Sequence, residues 1–202
     1  MKLDFYVDEN VLIPRADTEI LVEEVIDKCT KNGEREYKIL DLCTGSGIVG
    51  ISLAKYIKKC EVVCADISKK ALEIAKKNAK SNNADNTKFI YSNMFSNIKD
   101  KFDIIVSNPP YIKRKVIEEL EKEVQNEPHI ALDGGIDGLD FYKLIACEAY
   151  KYLNDTGEVF LEIGYDQKEE VINLLENSGK FSNIYSKKDL YGNDRVVVAR
   201  RG

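Results

Sequence analysis

Asn108-Pro109-Pro110-Tyr111 places a carboxamide, two fixed backbone carbonyls and an aromatic ring in four consecutive positions. The prolines hold the backbone rigid and remove two amide donors, which leaves carbonyls pointing in set directions. The Asn108 side-chain carbonyl and the Pro109 backbone carbonyl can each accept one N–H of a planar amino group. Such a nitrogen has a delocalised lone pair and is a poor nucleophile. Accepting both hydrogens turns its lone-pair axis toward an electrophilic carbon and stabilises the positive charge that develops. No base need act first, because the alkylated nitrogen becomes acidic and sheds its proton afterwards. That suits a chain of 202 residues with one histidine, His129. A Ser-His-Asp triad or a zinc site would have to be built on that single imidazole, so no metal site is expected. Tyr111 can cover the planar group or lie near a cation. The plainer reading of the tetrapeptide is a rigid exit turn from a strand.

A second set of residues lies upstream. Asp41-Leu42-Cys43-Thr44-Gly45-Ser46-Gly47 closes an apolar run, and a helical pattern begins near Ile48. The Gly45-x-Gly47 turn lets the backbone approach a ligand, and amides at the helix start favour an acceptor group. With Gly50 the pattern also matches a dinucleotide fingerprint, and alone it decides little. Asp66, closing Cys64-Ala65-Asp66-Ile67, stands where a carboxylate accepts two ribose hydroxyls in both nicotinamide enzymes and methyltransferases. Asp41 tilts the balance. An acid on the strand side of the turn repels a pyrophosphate and attracts an ammonium, so S-adenosylmethionine is the expected cofactor. Its candidate contacts are Asp41, Thr44, Gly45, Gly47, Asp66, Ile67 and Asn108. After the third strand, Asn93 would be a polar contact of the adenine and Met94 or Phe95 its apolar wall, with Phe95 equally readable as core.

These residues need a frame that brings them to one edge. The chain alternates strand-like and helical runs, the pattern of an α/β protein with a mainly parallel sheet. Strands are predicted at 38–42, 61–65, 87–91, 102–107 and 158–163, and helices at 17–29, 48–58, 69–81, 139–153 and 167–177. Asp17 or Thr18 is the expected cap of the first helix. In the helix over 139–153, Tyr142, Ile145, Ala146, Ala149 and Leu153 share one face and read as core. At the end, 181–186 and 195–200 read as strands without a crossover helix, hence an antiparallel pair. The expected fold is a Rossmann-like class I methyltransferase, seven-stranded and mainly parallel with a C-terminal antiparallel hairpin. Residues 1–36 read as a lead-in segment and helix and 37–202 as the methyltransferase domain, one globular unit overall.

The net charge of −5 argues against a domain that binds nucleic acid chiefly by neutralising phosphates. Lys113-Arg114-Lys115 is the most suggestive basic cluster, and a solvated loop or helix start is the favoured reading of it. The five cysteines form no C-x-x-C pair and read as small buried hydrophobes in a reducing compartment. No run of about 18 apolar residues occurs. Met1-Lys2-Leu3-Asp4-Phe5 lacks the features of a signal peptide. A cytoplasmic protein without a membrane span is the expectation.

Leu12-Ile13-Pro14-Arg15-Ala16-Asp17-Thr18-Glu19, the glycine turn, Asn108-Pro109-Pro110-Tyr111, Glu127-Pro128 and the stretch from Ala131-Leu132-Asp133-Gly134-Gly135 to Tyr142 follow one another along nearly the whole chain. In that order they resemble the bacterial release-factor glutamine methyltransferases, the HemK/PrmC family. The resemblance implies methyl transfer to the glutamine amide in the Gly-Gly-Gln motif of class 1 peptide chain release factors. Asn108, Pro109, Pro110 and Tyr111 would then be catalytic and bind the amide, with Arg15, Glu127 and Pro128 as further substrate contacts. Glycines beside the substrate glutamine would let its loop enter a narrow pocket. Three positions depart from the family pattern: Ala16 stands for a usual Pro, Asn126 for an aromatic and Asn93 for an Asp. Bacterial members carry a helical N-terminal domain that helps recognise the release factor, and the resemblance begins after it. Other readings are glutamine methylation of a large-subunit ribosomal protein, a nucleic-acid amino methyltransferase, a non-catalytic adenosyl-binding sensor and a nicotinamide oxidoreductase. The 12–19 and 131–138 segments favour the release factor, and neither a basic cleft nor a target-recognition insertion is visible.

Overall fold

The computed structural model describes residues 3–202, apart from positions 32, 34 and 126 and the side chains at 122 and 123. Asn126, one of the departures above, lies outside the described residues, as do Met1 and Lys2 of the N-terminal reading. Seven strands form one sheet: β1 (Tyr37–Leu42), β2 (Cys60–Asp66), β3 (Thr87–Tyr91), β4 (Phe102–Ser107), β5 (Leu153–Glu162), β6 (Phe181–Lys188) and β7 (Asp194–Arg201). Their order is β3-β2-β1-β4-β5-β7-β6. The first five run parallel, and β7 pairs antiparallel with both β5 and β6. This is the expected mainly parallel sheet with its terminal antiparallel pair.

Helices cover both faces: α1 (Thr18–Lys31), α2 (Ile48–Tyr56), α3 (Lys69–Ser81), the short α4 (Arg114–Ile117), α5 (Lys122–Gln125) and α6 (His129–Leu132), then α7 (Asp140–Glu148) and α8 (Lys168–Asn177). Because strand side chains alternate, β1 feeds two cores at once. Leu40 and Leu42 join Phe102, Tyr142, Ile145 and Val171 on one face, and Ile39 joins Leu21, Val25, Ile51 and Leu53 on the other. Ser68 caps α3, its hydroxyl accepting from the Ala71 amide at 3.2 Å. Asp17 is engaged elsewhere, in an ion pair with Arg195 at 3.2 Å, and Thr18 is buried as the first residue of α1.

Most boundaries fall within two residues of the sequence reading, and the largest difference lies between α7 and β5. The helix expected to reach 153 ends at Glu148, a 3-10 turn follows at Ala149–Tyr152, and β5 starts at Leu153. Asn154-Asp155-Thr156-Gly157 reads as a turn by composition. Pairing with β4 draws it into the strand instead, with Leu153 opposite Phe102, a register irregularity before Ile104, and Asn154 Nδ2 donating to Asp103 at 3.1 Å. The expected buried face holds: Tyr142, Ile145, Ala146, Ala149 and Leu153 are all in the core. The cysteines divide: Cys29 and Cys64 are buried, Cys43 and Cys60 half-buried, and Cys147 is exposed, contrary to the general expectation of burial. No described helix is long and apolar enough to cross a membrane.

Candidate active site

The carboxyl ends of β1 to β4 open onto one cleft of about 1100 Å³, including the solvent at its mouth. In an open parallel sheet the strand ends aim backbone and side chains into such a crevice. Asp41, Thr44, Gly45, Asp66, Ile67, Asn93, Met94, Asn108, Pro110 and Arg15, all singled out in the sequence, line it together.

Asp41 is fully buried at the end of β1. Its Oδ2 accepts from Thr44 Oγ1 at 2.5 Å and from the Gly50 amide at 2.9 Å, while Oδ1 has no partner among the described residues. Burial raises its pKa to about 7, against the lowering pull of those two bonds. Asp66 holds the turn from the next strand: Oδ2 accepts from the Gly45 amide at 2.9 Å and Oδ1 from the Ser68 amide at 2.8 Å. Burial raises its pKa as well, opposed chiefly by the backbone bonds from Ser68 and Gly45.

Other expected contacts are placed differently. Gly47 is the left-handed N-cap of α2 at φ 83°, and a Cβ there would lie 2.7 Å from Ile51 Cδ1 and 3.1 Å from Ala75 Cβ. It packs α2 against α3 instead of lining the cleft. Phe95 is 2% exposed and stacks on Tyr152 with ring centroids 4.8 Å apart. It belongs to the core, so of the two candidate walls Met94 is the one that faces the cleft. Met94 reaches it from a left-handed backbone position, φ 47°, which periodicity cannot anticipate.

At the end of β4, Pro109 and Pro110 are buried and Asn108 is half-buried. Asn108 Nδ2 donates to Thr18 Oγ1 at 3.4 Å, and no described protein donor is bonded to Oδ1. Tyr111 lies outside the cleft lining and packs on the core beside it. Burial pushes its hydroxyl up to about 12, aided by the nearby Glu162. Its carbonyl accepts from Gln167 Nε2 at 3.0 Å, and the same nitrogen donates to Gly138 O at 3.2 Å. Ile112 forms a parallel bridge with Asp133. Gly134 presses so closely on this backbone that a Cβ would lie 2.7 Å from Tyr111 Cα. The segment after the tetrapeptide is thus clamped by residues 132–138.

Glu127 and Pro128 do not line the cleft. Glu127 is buried and binds Arg15 through Oε1 at 2.7 Å, with Oε2 unpartnered. Lys113 and Arg114 face acids of their own chain, Asp166 at 3.9 Å and Asp133 at 2.8 Å, as a solvated helix start would. The cleft has walls that pattern reading missed: Val11, Leu12 and Pro14 from the lead-in, Ala71 from α3, and Ile130, Ala131 and Phe141 from beyond β4. For the lead-in residues the available signal was apolar residues in a stretch with neither helical nor strand periodicity, where a loop is free to carry a site.

Residues 16–135 match the Methyltransferase small domain family. A release factor glutamine methyltransferase of Clostridium acetobutylicum is 47% identical over 207 residues, covering the whole of this chain and 72% of the relative. The chain belongs to the release factor glutamine methyltransferases. Among solved structures, a release factor-specific protein-(glutamine-N5) methyltransferase of Alicyclobacillus acidocaldarius is 30% identical, with a TM-score of 0.58 over 98% of this chain and 99% of that one. A methyltransferase of Pyrococcus furiosus, 21% identical with a TM-score of 0.68 over 99% and 89% of the two chains, shares the fold.

Release factor glutamine methyltransferases take their methyl group from S-adenosylmethionine, and the cleft fits it. Asp41 Oδ1, buried and unpartnered at the cleft wall, is an acceptor awaiting a cationic donor such as an ammonium. Each Asp66 oxygen accepts one backbone amide, so further lone pairs remain for a pair of hydroxyls. Ile67 and Met94 supply apolar surface suited to a flat base.

Proposed function

We propose that this chain methylates the side-chain amide nitrogen of the glutamine in the Gly-Gly-Gln loop of class 1 peptide chain release factors. One observation carries the reading. The Asn108 carboxamide stands at the cleft with Oδ1 unbonded, beside two buried prolines that fix the neighbouring carbonyls. Asn108 Oδ1 and the Pro109 carbonyl each accept one N–H of the glutamine amide. That holds its nitrogen in line for attack and stabilises the charge that grows on it. Pro110 stiffens the turn, and Tyr111 anchors it on the core beside the cleft.

Bound S-adenosylmethionine supplies a methyl group on a sulfonium, an electrophile strong enough for a weak amide nucleophile. Asp41 takes its ammonium, with Thr44 and Gly45 alongside. Asp66 takes the ribose hydroxyls, Ile67, Asn93 and Met94 surround the base, and Asn108 borders the transferred group. Arg15 meets the substrate loop at the rim, held in place by Glu127, with Pro128 fixing the start of α6. We place this reaction in the cytoplasm and treat residues 1–36 as a lead-in that completes the cleft of the 37–202 domain.

The test uses purified chain, labelled S-adenosylmethionine and a release factor with Gln or Ala in the loop. Label is expected on the Gln form alone, and label on neither protein at high concentration would sink the proposal. Asn108→Ala should lose turnover by at least roughly a hundredfold, while calorimetry shows cofactor affinity within a few-fold of wild type. Joint loss of both would place Asn108 mainly in the cofactor site.

A further inference from the structure

The Asn108 carboxamide has two ends of nearly equal shape, one an acceptor and one a double donor. Glutamine methylation needs the acceptor end toward the substrate, because the reversed amide would set two donors face to face. Something must therefore fix the side-chain rotation. Nδ2 points to Thr18 Oγ1 at 3.4 Å. A hydroxyl can donate or accept, so Thr18 alone does not decide between the two orientations.

Glu162 breaks the tie. It is the last residue of β5, 2% exposed, with Oε2 buried and without a partner among the described residues. Parallel pairing sets Leu161 opposite Ser107, which brings the next residues, Glu162 and Asn108, side by side. Burial pushes its pKa up to about 7, against the lowering pull of the Thr18 and Asn108 polar groups beside it. Asp17 adds to the rise and Arg195 opposes it, and the Tyr111 and Tyr142 hydroxyls lie near it too. An ionised carboxylate accepts and never donates. It turns the Thr18 hydrogen toward itself, leaves the Thr18 lone pairs facing Nδ2, and repels a carbonyl placed on that side.

We propose that Glu162 is a positioning residue for methyl transfer, acting with Thr18 to hold the Asn108 carboxamide with its carbonyl toward the substrate amide. The inference rests on the glutamine-amide reading above. When Glu162 takes up a proton it can itself donate, the Thr18 hydroxyl is free to reverse, and the reversed Asn108 amide is no longer penalised.

Glu162→Gln keeps the shape and removes the charge. Its melting temperature should be at or above wild type and its cofactor affinity near wild type, while kcat falls roughly ten- to hundredfold and the acid limb of the kcat–pH profile near 7 disappears. Thr18→Ser should retain activity and Thr18→Val should lose it like Glu162→Gln. A second readout needs no turnover. The Asn108 side-chain NH2 resonances, assigned by their loss in Asn108→Ala, should titrate near pH 7 in wild type and stay flat in Glu162→Gln. Absence of that titration between about pH 5.5 and 8.5 overturns the proposal, as does wild-type kcat in Glu162→Gln. Loss of cofactor affinity in step with kcat also overturns it and assigns Glu162 to the cofactor site. A wild-type chain that labels no release factor refutes the glutamine reading, and the resonances still judge the orientation of Asn108.

Discussion

Asp41 and Glu162 are acids that burial moves upward, from 3.8 and 4.5 to about 7. Between those limits the unfolded chain has already released protons that the native chain keeps. Stability therefore falls as pH rises through this window, the reverse of the common salt-bridged carboxylate. A bound ammonium changes the sign for Asp41, because it favours the ionised form. Cofactor binding should release a proton near neutrality, and affinity should drop on the order of tenfold from pH 7.5 to 6, as measured by calorimetry in buffers of different ionisation enthalpy. Asp41→Asn should abolish this dependence along with most of the affinity. In the unliganded protein at pH 8 the same change should raise the melting temperature by about 2–4 °C per kcal/mol recovered. Phe95 gives the contrasting case of a side chain that holds structure. Phe95→Ala should cost about 3–5 kcal/mol, a drop on the order of 10 °C, and leave the affinity of the folded protein for cofactor near wild type at low temperature.

At the scale of elements, the cleft has two lips far apart in sequence. Val11, Leu12 and Pro14 form one, Ile130 and Ala131 the other. The Arg15–Glu127 ion pair ties the lead-in of the first to the start of the second. Arg15 is 39% exposed, so solvent screening limits what the pair contributes. Glu127→Gln should weaken cofactor binding by roughly two- to fivefold, the equivalent of about 0.5–1 kcal/mol, mainly as faster dissociation in stopped-flow displacement. An unchanged dissociation rate would mean that the lips hold together without this pair. Nothing in the local pattern of Arg15 or Glu127 announced the contact, since the two lie 112 residues apart. What periodicity does announce is the alternation of β1 to β4 with α2 and α3, and hence the ends of strands where Asp41, Asp66 and Asn108 had to fall. The strand expected from 158 begins earlier, at Leu153, because pairing with β4 outweighs the local preference of Asn, Asp and Gly at 154–157.

Across the whole molecule, the fold could be read from the sequence more completely than the cleft. A sheet with both faces covered leaves long apolar runs and clear helical stripes, and these are local signals. The cleft is assembled from loops, where distance along the chain says nothing of distance in space. Gly47 and Phe95 sit in cofactor-like motifs yet pack against Ala75 and Tyr152, contacts made only after folding. Asn93 and Met94, read from the same stretch, do reach the cleft.

The clamp over Tyr111 has a consequence for how such a chain can diverge. Gly134 and Gly138 have no room for a side chain, since a Cβ at 138 would stand 2.5 Å from the Tyr111 carbonyl oxygen, and Gln167 is committed to two carbonyls at once. Between these fixed points the clamp exposes Ile136, 81% accessible, and Tyr165, 68% accessible. Mutational drift at 136 and 165 costs the frame almost nothing, whereas drift at 134, 138 or 167 would dislodge the tetrapeptide itself. A lineage can therefore vary this exposed surface in single steps while the frame that holds the tetrapeptide is inherited unchanged.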